Sequence, residues 1–280
     1  MPFYGRDIGR QPSSTRSPMH VLSSIQPLFV LSGFVVGLLV GQTGVGGGSL
    51  MTPILVLLFG IHPAAAVGTD LLYASITKTV GTAVHGANHT VEWPIVARLA
   101  GGSVPATALT LLVISHFDLS GRAASHLIST LLGVMLLLTA VALLFRHRLV
   151  AMGENRGAKF SLRSTVTLTV VTGAVLGVLV TISSVGAGAI GVTVLLLLYP
   201  KLPMARIVGS DIAHAVPLTL VAGIGHWFLG SVNLTMLSSL LCGSIPGIVL
   251  GSMVVARVPE WVLRPLLAAT LALVGGTLVY

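Results

Sequence analysis

Charge is what this sequence has least of: only 8% of its 280 residues are Asp, Glu, Lys or Arg, where a soluble domain carries roughly a quarter. So little charge cannot cover a water-facing surface. Cysteine is nearly absent too, and a lone Cys242 excludes an internal disulfide. Aromatic residues make up 5%. No spacing of Cys, His or carboxylates reads as a metal site, and no Walker pattern is present, so neither a cofactor nor ATP is expected.

What fills the chain instead is apolar: 54% hydrophobic residues and a mean hydropathy of +0.99. Lipid is therefore the solvent expected for most of it, and the fold class is an all-α polytopic membrane protein. The net charge of +8 would suggest nucleic acid in a soluble protein, but the basic residues flank apolar stretches. One group is Arg6, Arg10 and Arg16, and the other runs from Arg146 to Arg163. That is the pattern of positive-inside topology, so nucleic acid is excluded and the partner expected is the bilayer of the cell's inner membrane. The apolar stretch near Ile25 reads as a retained helix, because no small-residue cleavage signature follows it.

Four regions follow: a basic cytoplasmic tail (1–24), a first helical repeat (25–145), a basic cytoplasmic loop (146–164) and a second repeat (165–280). Gly33, Gly37, Val45, Gly46 and Gly48 recur 140 residues on as Gly173, Gly177, Val185, Gly186 and Gly188. At a spacing of 141, Val67-Gly68-Thr69-Asp70 recurs as Val208-Gly209-Ser210-Asp211, His85 as His226, and Gly102-Ser103-Val104-Pro105 as Gly243-Ser244-Ile245-Pro246. Each repeat reads as about four transmembrane segments. The second apolar piece of each is only about eleven residues, too short to span, so a broken or re-entrant helix is expected at each glycine cluster. If both basic groups face the cytoplasm, an even number of crossings separates them and the repeats run parallel; a re-entrant hairpin would invert them. Charge favours the parallel arrangement.

A helix restarting inside a bilayer leaves its first N–H groups without partners, and with the helix dipole these make an anion site. Gly46, Gly47, Gly48 and Ser49 in the first repeat, and Ser183, Ser184, Gly186 and Gly188 in the second, are the candidate substrate-binding residues. Close packing is the alternative, and it is the expected role of the isolated pair Gly33 and Gly37.

The helix near 64–84 carries a polar stripe: Asp70, Thr77, Lys78 and His85 share one face. A charge there would cost about 2.5–3.5 kcal/mol in lipid, so the face should look inward. The rise puts Asp70 and His85 about 22 Å apart, too far for one small ligand. Thr219 stands where Lys78 would recur, which makes Lys78 the asymmetric element and a candidate attractor of the substrate, although it could also snorkel. Asp70, Asp211, His85 and His226 are candidates for coupling or gating, with a proton or ion as the coupling partner; the plainer roles are a capping or packing hydrogen bond for the aspartates and interfacial placement for the histidines.

Gly46-Gly47-Gly48 onward to Pro53, Ala66-Val67-Gly68-Thr69-Asp70, Val91-Glu92-Trp93 and Gly-Ser-x-Pro together resemble the sulfite exporter TauE/SafE family, also called the toluene sulfonate uptake permease family. The likeness covers about residues 25–280. It implies secondary transport of sulfur-containing anions such as sulfite or a sulfonate, and no enzymatic activity. One departure stands out: the second half reads Gly186-Ala187-Gly188-Ala189, with Thr193 where Pro53 stands. Two other classes compete with transport. An intramembrane aspartyl hydrolase would use Asp70 and Asp211 as a carboxylate pair, but leaves the glycine clusters unexplained. A non-transporting assembly factor would need no polar stripe.

Overall fold

The computed structural model describes residues 26–43, 48–116, 122–155, 161–186, 188–254 and 260–279. Among these residues there is no strand, and they form ten helices. They are α1 (Pro27–Thr43), α2 (Gly48–Leu57), α3 (Pro63–Ala87), α4 (Trp93–Ile114) and α5 (Arg122–Asn155), then α6 (Leu162–Ser183), α7 (Ala189–Leu198), α8 (Met204–Phe228), α9 (Leu234–Val254) and α10 (Glu260–Val279). Four stretches among the described residues are long and apolar enough to cross a membrane: Trp93–Ile114, His126–Phe145, Leu162–Ser183 and Met204–Phe228. With apolar residues such as Leu28, Leu112, Val113, Val171 and Leu273 turned outward, and Asp70, Lys78 and Asp211 enclosed, the bundle is built for lipid.

The helix ends follow from local chemistry. Proline opens α3 and lies at the second position of α4, where a missing N–H costs nothing. Ser161 caps α6 by accepting from the Ser164 N–H. The two pieces flagged by their shortness are helices of 10 residues each, α2 and α7. One boundary differs from the sequence reading: α5 runs on to Asn155, so the first ten residues of the segment expected as a loop are helical. Residues 146–152 hold no glycine or proline and are mostly good helix formers, so nothing stops the helix at the end of its apolar part.

Close backbone approach at small residues organises the packing. Gly33 and Gly37 of α1 face the backbone of Leu240 and Ser244 of α9, so near that any Cβ would strike a carbonyl oxygen. Gly173 and Gly177 of α6 meet Leu99 and Ser103 of α4 in the same way. Each partner in the second contact stands at the repeat position of its counterpart in the first. The first helix of each half therefore packs on the fourth helix of the other half, and the pairs run parallel. The role of Gly33 and Gly37 is packing.

Between α3 and α8 the direction is opposite. Gly223 packs on Leu72, Gly81 on Ile212, Gly68 beside His226 and Gly209 beside His85, a register that falls along one helix as it rises along the other. The equivalent helices of the two halves are antiparallel. Two further contacts agree. Arg206 pairs with Glu92, bringing the starts of α8 and α4 to one end of the bundle. The Asn233 N–H donates to Thr69, bringing the starts of α9 and α3 to the other.

The short helices fold back on the long ones before them. Phe59, just past α2, packs on Phe29 at the start of α1, with ring centroids 4.6 Å apart. Tyr199, just past α7, hydrogen-bonds Thr169 near the start of α6 at 2.8 Å. Both partners of the second contact lie 140 residues beyond those of the first. Antiparallel halves and returning short helices put the starts of α1 and α6 at opposite ends, which corrects the parallel arrangement favoured by charge. The charge argument fails because it counts each broken pair as one crossing, whereas each short helix returns toward the end from which its long helix started.

Candidate functional site

The middle of the bundle holds the polar groups that the exterior lacks. Asp70 of α3 is fully buried. Its Oδ2 accepts from the Thr52 hydroxyl at 2.5 Å and from the Ser184 hydroxyl at 2.9 Å. Thr52 belongs to the short helix of the same half and Ser184 to the helix break of the other half, so one carboxylate ties three elements together. The sequence expectation of a packing hydrogen bond for Asp70 describes Oδ2. The other oxygen, Oδ1, is buried with no hydrogen-bond partner.

The break after α6 supplies Ser184. Its backbone turns left-handed (φ 58°), and Gly186 follows at φ 117°, a conformation open to glycine and costly for most other residues. Ser183 is occupied within the turn: its hydroxyl donates to the Leu179 carbonyl at 2.7 Å and accepts from the Val185 N–H at 3.2 Å. Gly188 precedes α7, whose first turn is partly closed by Gly191 N–H donating to the Gly186 carbonyl. Gly46 and Gly47 lie outside the described residues; Gly48 and Ser49 open α2.

Lys78 is buried two turns along α3 from Asp70, and its ammonium lies in the field of two buried carboxylates, Asp70 and Asp211. A snorkelling lysine reaches water, and this one is only 6% exposed. Asp211 is buried on α8, where α7 comes so close that a Cβ at Gly191 would strike its carboxylate. Each short helix thus abuts the aspartate of its own half.

His214 is a residue that sequence reading missed. It is fully buried one turn from Asp211, and its Nε2 lies 2.9 Å from the Ser103 hydroxyl of α4. Its Nδ1 is buried with no hydrogen-bond partner, and Lys78 acts on it electrostatically. The repeat register pairs His214 with Tyr73 and Ser103 with Ser244. In the first half, Tyr73 and Ser244 face each other without completing a hydrogen bond. Two ring side chains with polar atoms at one repeat position was the signal that could have found it.

The remaining histidines lie outside this group. His85 is half-exposed at the end of α3, bonded to Thr90 of the following turn at 2.8 Å. His226 is buried and its Nε2 meets the Thr181 carbonyl near the end of α6 at 2.9 Å. The structure therefore gathers Asp70, Lys78, Asp211, His214, Thr52 and Ser184, and leaves His85 and His226 at the margins. Among the described residues, no group of three His, Cys, Asp or Glu could hold a metal ion.

Sequence comparison settles the lineage of this arrangement. Residues 29–278 match the sulfite exporter TauE/SafE family. The chain belongs to that family. It is 38% identical to the probable membrane transporter protein YjnA of Bacillus subtilis over 250 residues, covering 88% of this chain and 96% of the relative. It is 27% identical to YdhB, named likewise, from the same organism, covering 90% and 100%. A probable membrane transporter protein of Methanocaldococcus jannaschii is 25% identical over 71% of this chain and 70% of its own. No solved structure matches. The chain is a multi-pass membrane protein of a transporter family.

Proposed function

We propose that the protein is a secondary transporter carrying a small sulfur-containing anion, sulfite or a sulfonate, across the inner membrane, and that it is not an enzyme. The observation that carries this reading is the burial of Lys78 in one bundle with the buried carboxylates Asp70 and Asp211, Asp70 meeting the helix break at Ser184. A cation held inside an apolar bundle is expensive unless it serves a ligand or a partner. Here two carboxylates oppose one ammonium, so an incoming anion would meet excess negative charge. Protonation of Asp70 or Asp211 removes that excess, and this favours a coupling proton over a simple anion channel. Ser184 and Gly188, the unpaired His214 Nδ1, and Gly48 and Ser49 at the start of α2 are the groups proposed to meet the anion, and Gly46 and Gly47 remain candidates outside the described residues.

The antiparallel halves support an inverted-repeat carrier, with α1–α2 and α6–α7 as re-entrant pairs entering from opposite faces. Arg146, Arg148, Arg163, Lys201 and Arg206 then gather on one face, which is the cytoplasmic one by the positive-inside rule, while Arg122 lies opposite. The aspartyl hydrolase reading loses ground because Oδ2 of Asp70 is engaged by Thr52 and Ser184 rather than by a second carboxyl.

Flux of radiolabelled sulfite and of a sulfonate into proteoliposomes, with and without an imposed pH gradient, tests the proposal. Saturable flux that a gradient accelerates is the expected outcome. Absence of flux for every sulfur anion, in protein of native melting temperature, would refute the substrate class.

A further inference from the structure

At the end of the bundle where α4, α6 and α8 begin, a cavity opens away from the central polar group. It has a volume of about 560 Å³, in the range of small-ligand pockets. Its walls are apolar, with Pro94 and Ile95 of α4, Leu162 of α6, Leu198 of α7 and Leu202 of the turn that follows α7. Its charges are basic: half-buried Arg98 and exposed Lys201. Glu92 also lines it, but its carboxylate is held by Arg206. Arg98 is fixed in place, donating through Nη1 to the Tyr199 hydroxyl at 3.3 Å, which itself bonds Thr169 at 2.8 Å. One bond leaves most of the five N–H donors of the guanidinium for another acceptor.

The other end of the bundle has nothing like it. At the repeat positions of Arg98, Tyr199 and Lys201 stand Ser239, Phe59 and Ile61. There Phe59 stacks on Phe29, and Ser239 accepts from the Gln26 N–H at 3.3 Å. One end has been filled with aromatic packing while the other carries two cations around an apolar hollow. Trp93, 59% exposed, stands at the same end, the depth at which indole rings meet lipid headgroups.

We propose that this cavity binds the headgroup of an anionic phospholipid, its phosphodiester on Arg98 and Lys201 and its first acyl carbons along the apolar wall. Basic hollows between membrane helices on the cytoplasmic face suit this ligand. A free inorganic anion would use the two cations but leave the apolar wall exposed to water. The site is separate from Lys78, and its occupancy is independent of which anion is carried.

The test uses full-length protein in phosphatidylcholine nanodiscs, titrated with phosphatidylglycerol, reading melting temperature and retained lipid by native mass spectrometry. Phosphatidylglycerol should raise the melting temperature and be retained. Lys201→Glu, at an exposed side chain, should weaken retention at least about tenfold, and Arg98→Gln should do so too. Equal retention by wild type and Lys201→Glu would overturn the proposal. So would an equal rise in melting temperature with inorganic phosphate alone, which would make this a soluble-anion site. Should Arg98→Gln fail to fold, the Lys201→Glu result decides.

Discussion

The two halves of this molecule share a scaffold and differ in chemistry at the same positions. Both place a glycine pair of the first helix against the fourth helix of the other half, and both return a ten-residue helix toward its start. Yet Lys78 faces Thr219 across the register, Tyr73 faces His214, and the Phe29–Phe59 stack faces Thr169–Tyr199. Thr219 spends its hydroxyl on the Ala215 carbonyl of its own helix, at 2.7 Å. Where the halves agree, backbone touches backbone and geometry permits no change. Where they differ, side chains point into the interior or the bundle ends, and one copy has been free to specialise. Shared glycine contacts are therefore read as scaffold and divergent polar positions as specialisation, with the shared aspartates common to the core of both halves.

The comparison is broken most directly at its charged element. Lys78→Ala should reduce apparent anion affinity by at least about tenfold, because a charge-assisted contact contributes about 1.5–3 kcal/mol. Thr219→Ala should change it less than threefold, since that hydroxyl is engaged within its own helix. Concentration-dependent flux of folded protein measures both. Equal effects would mean that Lys78 only balances Asp70 and Asp211.

The scaffold positions should respond alike. Gly33→Ala and Gly173→Ala each put a methyl group into a facing carbonyl, of Leu240 and Leu99 respectively. Each should cost about 1–3 kcal/mol, the usual penalty for overpacking. Their melting temperatures should fall by similar amounts, with flux per folded molecule preserved. A large inequality would show that one glycine contact has acquired a role the other lacks.

How far the sequence was legible follows the same division. The membrane class, the short second helices and the packing of Gly33 and Gly37 were readable because apolar length and small residues act locally. Relative direction was not. It depends on how many times the chain crosses between Arg16 and Arg163, and a helix that turns back looks in sequence like one that continues. His214 escaped for another reason: its repeat partner is Tyr73, so no histidine recurred to mark the position. Lys78 was visible because its charge is anomalous anywhere in an apolar helix, but its proximity to Asp211 needed α8 to be antiparallel to α3.

Tyr73 and His214 give a smaller test. His214→Tyr would copy the first-half residue into the second and remove the bond from Nε2 to Ser103, which is 2.9 Å long. Loss of one buried hydrogen bond costs about 0.5–1.5 kcal/mol. If His214 also serves the passing anion, flux should fall further than the lowered stability accounts for. Flux normalised to folded protein separates these outcomes, and an unchanged normalised flux would return His214 to a packing role.

The finest comparison is a difference of about 1 kcal/mol between two variants at Ser184, where two terms oppose each other. Its hydroxyl donates to buried Asp70 at 2.9 Å, and its backbone sits at φ 58°. Ser184→Ala loses the bond and keeps the backbone cost, so it should destabilise by about 1.5–3 kcal/mol, the range for hydrogen bonds to charged groups. Ser184→Gly loses the same bond but relieves the left-handed strain, recovering about 1 kcal/mol. Glycine should therefore be the milder change, by an amount that reports the strain alone, while the difference between glycine and wild type reports the bond to Asp70 less that relief. Chemical or thermal melting of the three proteins measures both quantities. If alanine and glycine melt together, the turn at 184 is unstrained in the membrane. If both melt with wild type, Asp70 does not depend on the second half for its hydrogen bonding, and the link between the halves at this carboxylate is lost.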